Sequence, residues 1–226
     1  MIVCIAAMQQ ECDAFLELCE QVSVFSETPF KLYQAKHLNQ DVIVGLSGIG
    51  KVSAAAMTSY VILTFKPSLI INIGSAGGLD SSLKIGDIVV ASMCAYHDFD
   101  ITSFGHEMSY EKGWYVFKAN PTILDHIKNI GLSQLHVGPM VCGDQFIHEE
   151  ALFKTMQSRF KHVLATDMES TAVAHVASTY NIPWIIARSI SDLVFDHDNH
   201  VSFDEFLGHA SKQSATFVSQ LIQRLS

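Results

Sequence analysis

Residues 52–78 read VSAAAMTSYVILTF, then KPS, then LIINI, then GSAGG. The Ala-rich run 52–65 predicts a helix, and Pro67, which has no amide hydrogen and a fixed φ, stops it. Residues 69–73 follow as a short, almost wholly apolar strand. A strand without polar alternation is covered on both faces, so it belongs inside a sheet with helices on either side. Gly74-Ser75-Ala76-Gly77-Gly78 comes next. Residues this small let a ligand approach the backbone, so a binding loop is expected there rather than a plain turn.

The same alternation extends in both directions. Strands are expected at 2–6, 88–91, 137–142 and 183–187. Residues 30–35 and 41–46, separated by His37-Leu38-Asn39-Gln40, read as a hairpin. Helices are expected at 11–19, 121–130 (stopped by Gly131), 149–160 and 169–180, with a long closing helix at 202–225. The pattern implies an α/β fold: a mixed, mostly parallel sheet sandwiched by helices. No repeat, low-complexity tract or Pro/Gly/Ser-rich linker interrupts residues 1–226, which points to one domain.

Composition removes several function classes. The chain has 226 residues and a formal net charge of -9. An acidic surface without runs of Lys or Arg repels phosphate backbones, so no nucleic-acid partner is expected. No apolar run reaches the roughly 18–20 residues of a membrane span. The N-terminus has neither the basic flank nor the apolar core of a signal peptide, so a cytoplasmic location is expected. Five cysteines, an odd number with no C-x-x-C spacing, read as reduced thiols.

Two motifs mislead. Gly45-Leu46-Ser47-Gly48-Ile49-Gly50-Lys51-Val52 nearly matches a phosphate-binding P-loop, but Val52 stands where a hydroxyl must hold magnesium. His97-Asp98-Phe99-Asp100 and Asp196-His197-Asp198-Asn199-His200 are rich in ligand types, but neither has zinc-protease spacing or the order of a calcium loop, and no metal is expected. The carboxylates say more. Glu11, the pair in Asp167-Met168-Glu169-Ser170, and Asp192 at the end of Arg188-Ser189-Ile190-Ser191-Asp192 occupy three separate strand-end positions. Cleaving a glycosidic bond needs an acid for the leaving group and a base for water, and such carboxylates can supply both.

Six segments in order carry a resemblance. They are Ala7-Met8-Gln9-Gln10-Glu11, Ser47-Gly48-Ile49-Gly50-Lys51, Gly74-Ser75-Ala76-Gly77-Gly78, Gly143-Asp144-Gln145-Phe146-Ile147, Met168-Glu169 and Arg188-Ser189-Ile190-Ser191-Asp192. Together with Ser202-Phe203-Asp204-Glu205-Phe206 they resemble the bacterial 5'-methylthioadenosine/S-adenosylhomocysteine nucleosidases of the nucleoside phosphorylase superfamily. The likeness spans essentially the whole chain. It implies a central twisted, partly barrel-like mixed sheet surrounded by helices, a homodimer, and no metal or organic cofactor.

The resemblance also implies roles. Asp192 matches the acid that protonates adenine N7. Glu11 matches the base that activates water, with Ser75 and Arg188 nearby. Glu169 matches the acceptor of the ribose hydroxyls, with Met168 under the sugar. Phe146 matches the ring stacked on the purine, the Ile147 backbone reads the purine edge, and Ser191 accompanies the acid. Met8, Ile49 and Phe203 match the lining near the 5'-substituent. Ile101 and Phe104 match lining supplied by a neighbouring subunit, and His106 stands where a Tyr is common in that shared pocket. Gln9 and Gln10 replace acids common before the base, and the loop after Asp192 is one residue longer than usual.

The chemistry agrees with these roles. Adenine leaves poorly until N7 is protonated, and its departure leaves an oxocarbenium-like sugar that nearby carboxylates stabilise. The rival on the same fold is a purine or uridine phosphorylase, which needs cations for phosphate. The loop Ala6-Ala7-Met8-Gln9-Gln10-Glu11 supplies none. Two rivals come from different classes. A P-loop NTPase would lack its magnesium hydroxyl at Val52, and a non-catalytic nucleoside-binding module has no use for both Glu11 and Asp192. Adenine nucleosides are the expected small-molecule partners. The ranking of methylthioadenosine, S-adenosylhomocysteine, 5'-deoxyadenosine and aminofutalosine stays open, because the core site reads what they share.

Overall fold

A computed structural model of the chain describes residues 1–195 and 199–225, with 199–202 and 225 as backbone only. Among the described residues, ten strands and six helices follow one another in this order: β1 Ile2–Ala6, α1 Gln9–Leu16, β2 Glu20–Ser26, β3 Lys31–His37, β4 Gln40–Leu46, α2 Lys51–Phe65, β5 Leu69–Gly78, β6 Ile88–Tyr96, β7 Val116–Lys118, α3 Pro121–Lys128, β8 Leu135–Cys142, α4 Glu150–Arg159, β9 Ala165–Asp167, α5 Ser170–Thr179, β10 Trp184–Leu193 and α6 Asn199–Leu225. A single 3-10 turn, Thr102–Phe104, lies between β6 and β7.

The strands run β10-β6-β8-β9-β5-β1-β4-β3-β2, and β10 also pairs with β5. That extra pairing closes five strands into a small barrel, while β1, β4, β3 and β2 continue as an open flank. The apolar strand of the 52–78 segment, β5, is the hinge between the two parts. It runs parallel to β1 on one side and to β10 on the other.

Period-two alternation decides which helix covers which face. Ile2, Cys4 and Ala6 pack with Phe15 of α1 and with Val218, Leu221 and Ile222 of α6. Val3 and Ile5 pack on the opposite face with Ala54, Met57 and Val61 of α2 and with Ala172 and Val173 of α5. Burying each aliphatic side chain contributes about 1.5–3 kcal/mol, so this two-sided cover fixes the strand register. Local signals set the helix ends. The Asn120 side chain accepts the Thr122 and Ile123 amides at the start of α3, with Pro121 in the first turn. α2 ends on Lys66 in the left-handed region (φ 50°), one residue before Pro67.

Four expectations need correction. Parallel and antiparallel ladders are equal in number among the described residues, so the sheet is mixed but not mostly parallel. The hairpin, its edge strand, two short returns and the β10–β6 pairing of the barrel supply the antiparallel half. Three strands, β2, β7 and β9, gave no signal. β2 is exposed along nearly its whole length and shows no buried face, and β7 and β9 have only three residues each. Gly74–Gly78 and the Arg188–Asp192 segment are the far halves of β5 and β10, not loops after them. α6 begins at Asn199 rather than 202, and Asp196, His197 and Asp198 lie outside the described residues. No helix among those described is long and apolar enough to cross a membrane. All five cysteines are free of disulfides.

Candidate active site

Glu11 sits in the first turn of α1 and is 4% exposed. Its carboxylate reaches back as an N3 acid does, and Oε2 accepts the Ala7 and Met8 amides, each at 3.1 Å. Oε1 accepts the Ser75 amide at 3.0 Å and the Ser75 hydroxyl at 3.1 Å. The approach to β5 requires Gly74: a Cβ there, at φ +153°, would lie 2.6 Å from Glu11 Oε1.

Asp192 arrives on the neighbouring strand. β10 and β5 run in register to the pair Ile190 and Ala76, and then Asp192 pairs with Gly77, so Ser191 is the extra residue of a bulge. A regular strand would send Ser191 and Asp192 to opposite faces. The bulge breaks the alternation, and both line the same cavity. Asp192 is 1% exposed. The Ser191 hydroxyl donates to its Oδ1 at 2.8 Å and also reaches the Ala76 carbonyl at 3.3 Å.

Glu169 caps α5, and its Oε1 accepts the Gly50 amide at 2.8 Å. Burial, and after it the Asp167 carboxylate, push its pKa up. Arg188 and the Gly50 N–H pull the other way. Arg188 is fully buried and does not line the cavity. Its Nε donates to Asp167 Oδ2 at 2.8 Å, and its remaining nitrogens go to the Asn72 side chain and to the Asn72 and Ala187 carbonyls. Arg188 was expected near Glu11, and the Glu11 charge does act on it, but its direct ion pair is with Asp167, a buried acid at the end of β9 that needs an immediate counter-charge. Asn72 carried no signal in the sequence: one polar residue in an apolar strand looks like tolerance until its partner is seen.

A cavity of about 90 Å3 brings these elements together. Met8, Glu11, Ile49, Ser75, Phe146, Met168, Glu169, Ser191, Asp192 and Phe203 all line it. Ala7, Ala76, Gly77, Thr166 and Asp167 complete the wall. Phe146 and Phe203 meet edge to face at 5.7 Å between ring centroids. Ile147 is buried and lines a smaller recess alongside, shared with Phe146, Met168 and Asp192. Ile101, Phe104 and His106 lie elsewhere: Phe104 is 80% exposed and His106 packs against Trp114 at 4.7 Å. The cavity wall therefore holds four carboxyl groups and, among the described residues, no Lys or Arg.

The P-loop look-alike is also accounted for. Carboxylates already occupy the first amides of α2, Glu169 on Gly50 N–H and Asp144 on Lys51 N–H at 2.7 Å. The Lys51 ammonium pairs with Asp98 at 2.5 Å and Asp144 at 3.7 Å. A helix start capped by acids repels the phosphate it would otherwise attract.

Known proteins resemble this chain over its length. The model of the Phosphorylase superfamily matches residues 1–223. A 5'-methylthioadenosine/S-adenosylhomocysteine nucleosidase of Staphylococcus carnosus (strain TM300) is 37% identical over 229 residues, covering 100% of both chains. Among solved structures, the nucleosidase of the same name from Neisseria meningitidis, in complex with methylthio-immucillin-A, has a TM-score of 0.90 and 32% identity and covers 98% of each chain. A mutant of the Helicobacter pylori enzyme with 5'-methylthioadenosine in its active site has a TM-score of 0.91 and 29% identity over 98% of this chain and 97% of its own.

Proposed function

We propose that this chain, which belongs to the phosphorylase superfamily and within it to the 5'-methylthioadenosine/S-adenosylhomocysteine nucleosidases, hydrolyses the N-glycosidic bond of those two nucleosides. Adenine and a 5'-substituted ribose are the products. The Asp192 carboxyl gives its proton to N7, the bond from C1' to N9 breaks with its electrons passing into the base, and adenine departs neutral. Water attacks C1' and its proton goes to Glu11. Glu169 accepts from the ribose hydroxyls, Met168 lies under the sugar, and Phe146 stacks on the purine. Both catalytic protons return through solvent, so no cofactor is required.

The observation that carries this reading is the charge of the cavity wall. Phosphorolysis needs cations to hold phosphate dianion next to the sugar. The described wall has Glu11, Asp167, Glu169 and Asp192 and no cation, and the nearest guanidinium is committed to Asp167. Water, in contrast, gains an acceptor there. The four donors on Glu11 include one rotatable side-chain group, the Ser75 hydroxyl. Water can take that position while Ser75 turns to hold it. The test is release of adenine from methylthioadenosine in buffer free of phosphate and arsenate. Sustained turnover is expected, and strict dependence on phosphate would reject the proposal while leaving the family assignment intact.

A homodimer is part of the same reading. α2 carries apolar residues on its outward face as well as its inward one, Val52 and Leu63 being 80% and 63% exposed. Helices of that kind are normally covered. Ile101, Phe104 and His106 stand away from the chain's own cavity, where a second copy could receive them over its 5'-pocket. Sedimentation at assay concentration is expected to show a dimer, and a fully active monomer would contradict it. The acidic charge and the free, mostly buried thiols support a reducing, cytoplasmic setting.

A further inference from the structure

We propose that Asp98 is a positioning residue for purine binding, acting with Lys51 to fix the 143–147 turn from which Phe146 enters the cavity. The proposal rests on the reading of Phe146 as the purine platform.

Asp98 lies two residues past β6 and does not line the cavity. Its Oδ2 accepts the Lys51 ammonium at 2.5 Å and the Asp144 amide at 2.9 Å. Asp144 in turn accepts the Lys51 amide and faces the Lys51 ammonium through its other oxygen. The triangle therefore closes on itself with charge-assisted bonds. It ties the end of β6, the turn after β8 and the start of α2, three segments far apart in sequence. Burial works against the Asp98 anion, yet the Lys51 ammonium and the Asp144 amide hold its pKa below the usual carboxylate range.

Two glycines show how closely these segments fit. Gly50, at φ +97°, would place a Cβ 3.1 Å from Asp144 Oδ1, and a Cβ on Gly143 would overlap the His97 ring. The segments so joined carry Ile49, the Gly50 amide that holds Glu169, and Phe146. Phe146 itself is 36% exposed, and its one ring neighbour among the described residues is Phe203. Packing alone does not orient so exposed a ring. Its orientation comes from the backbone on either side, anchored below by buried Ile147 and above by the clamped Asp144.

The experiment uses the full chain and two readouts, the Kd of adenine and the KM and kcat for methylthioadenosine. Asp98→Ala and Lys51→Met are each expected to raise adenine Kd and nucleoside KM about tenfold, the size of a lost charge-assisted hydrogen bond. kcat should stay within about threefold, since Asp192 and Glu11 are untouched. Lys51→Arg should recover most of the affinity, because a guanidinium can span the same two carboxylates. General loosening would instead lower kcat and thermal stability without a loss specific to the base. Phe146→Ala serves as the reference. If it weakens adenine while folded Asp98→Ala does not, the clamp is overturned and the platform stands. If Phe146→Ala leaves adenine binding unchanged, the platform reading fails and the clamp with it. Should Asp98→Ala not fold, Asp98→Asn carries the test: about a threefold rise in Kd is expected from losing the charge alone, and an unchanged Kd overturns the proposal.

Discussion

Asp192→Asn is expected to lower kcat for adenine release by about 10²- to 10⁴-fold, the usual worth of a general acid, while nucleoside affinity changes little. The amide keeps the shape of the carboxyl and can still accept the Ser191 hydroxyl bond seen at 2.8 Å. It can also donate a hydrogen bond to N7. What it lacks is a proton it can surrender, so adenine would have to leave as an anion. The loss should fall on kcat rather than on binding, because the missing interaction is made only as the bond breaks. Single-turnover adenine release alongside equilibrium binding of methylthioadenosine separates the two. Turnover within about tenfold of wild type would remove Asp192 from the acid role.

Glu11→Gln should be as damaging, for two reasons. The first is chemical: the amide takes no proton from water, a loss of about 10²- to 10⁴-fold. The second is structural. Glu11 accepts from four protein donors, two on each oxygen. An amide must turn an NH2 toward one of those pairs, leaving buried N–H groups facing another donor. That costs about 1–3 kcal/mol per unsatisfied group. A lower melting temperature should therefore accompany the kinetic loss. Added phosphate should not restore turnover, since the substitution removes the base and supplies no cation. Phosphate-dependent recovery would show that the wall holds an anion after all.

Much of this site was legible in the sequence, and the reasons are local. Residues 2–6 and 69–73 are apolar on both faces, so the buried parallel core showed directly in the pattern. Glu11, Asp192 and Glu169 were visible as acids at the ends of such strands, and the structure gathers them around one cavity. What escaped depends on pairing across distance. The bulge at Ser191 exists only relative to Ala76 and Gly77 on β5, so no reading of β10 alone predicts that Ser191 and Asp192 share a face. Arg188 was read only as a neighbour of Glu11, whereas its donors go to Asp167, Asn72 and the Ala187 carbonyl. Exposed β2 has no buried face to imprint a period. Lys51 and Asp98 belonged to two separate misleading motifs, and their contact joins residues 47 positions apart.

The source of the sugar's new oxygen tests the central claim most directly. Methylthioadenosine is turned over in ¹⁸O-labelled water with saturating unlabelled phosphate also present, and the sugar product is analysed by mass spectrometry before its anomeric oxygen exchanges. With four carboxyls and no cation in the described cavity wall, the free methylthio-sugar carrying one solvent oxygen is predicted, at a rate unaffected by phosphate. A sugar 1-phosphate, with its bridging oxygen drawn from phosphate, would contradict the account.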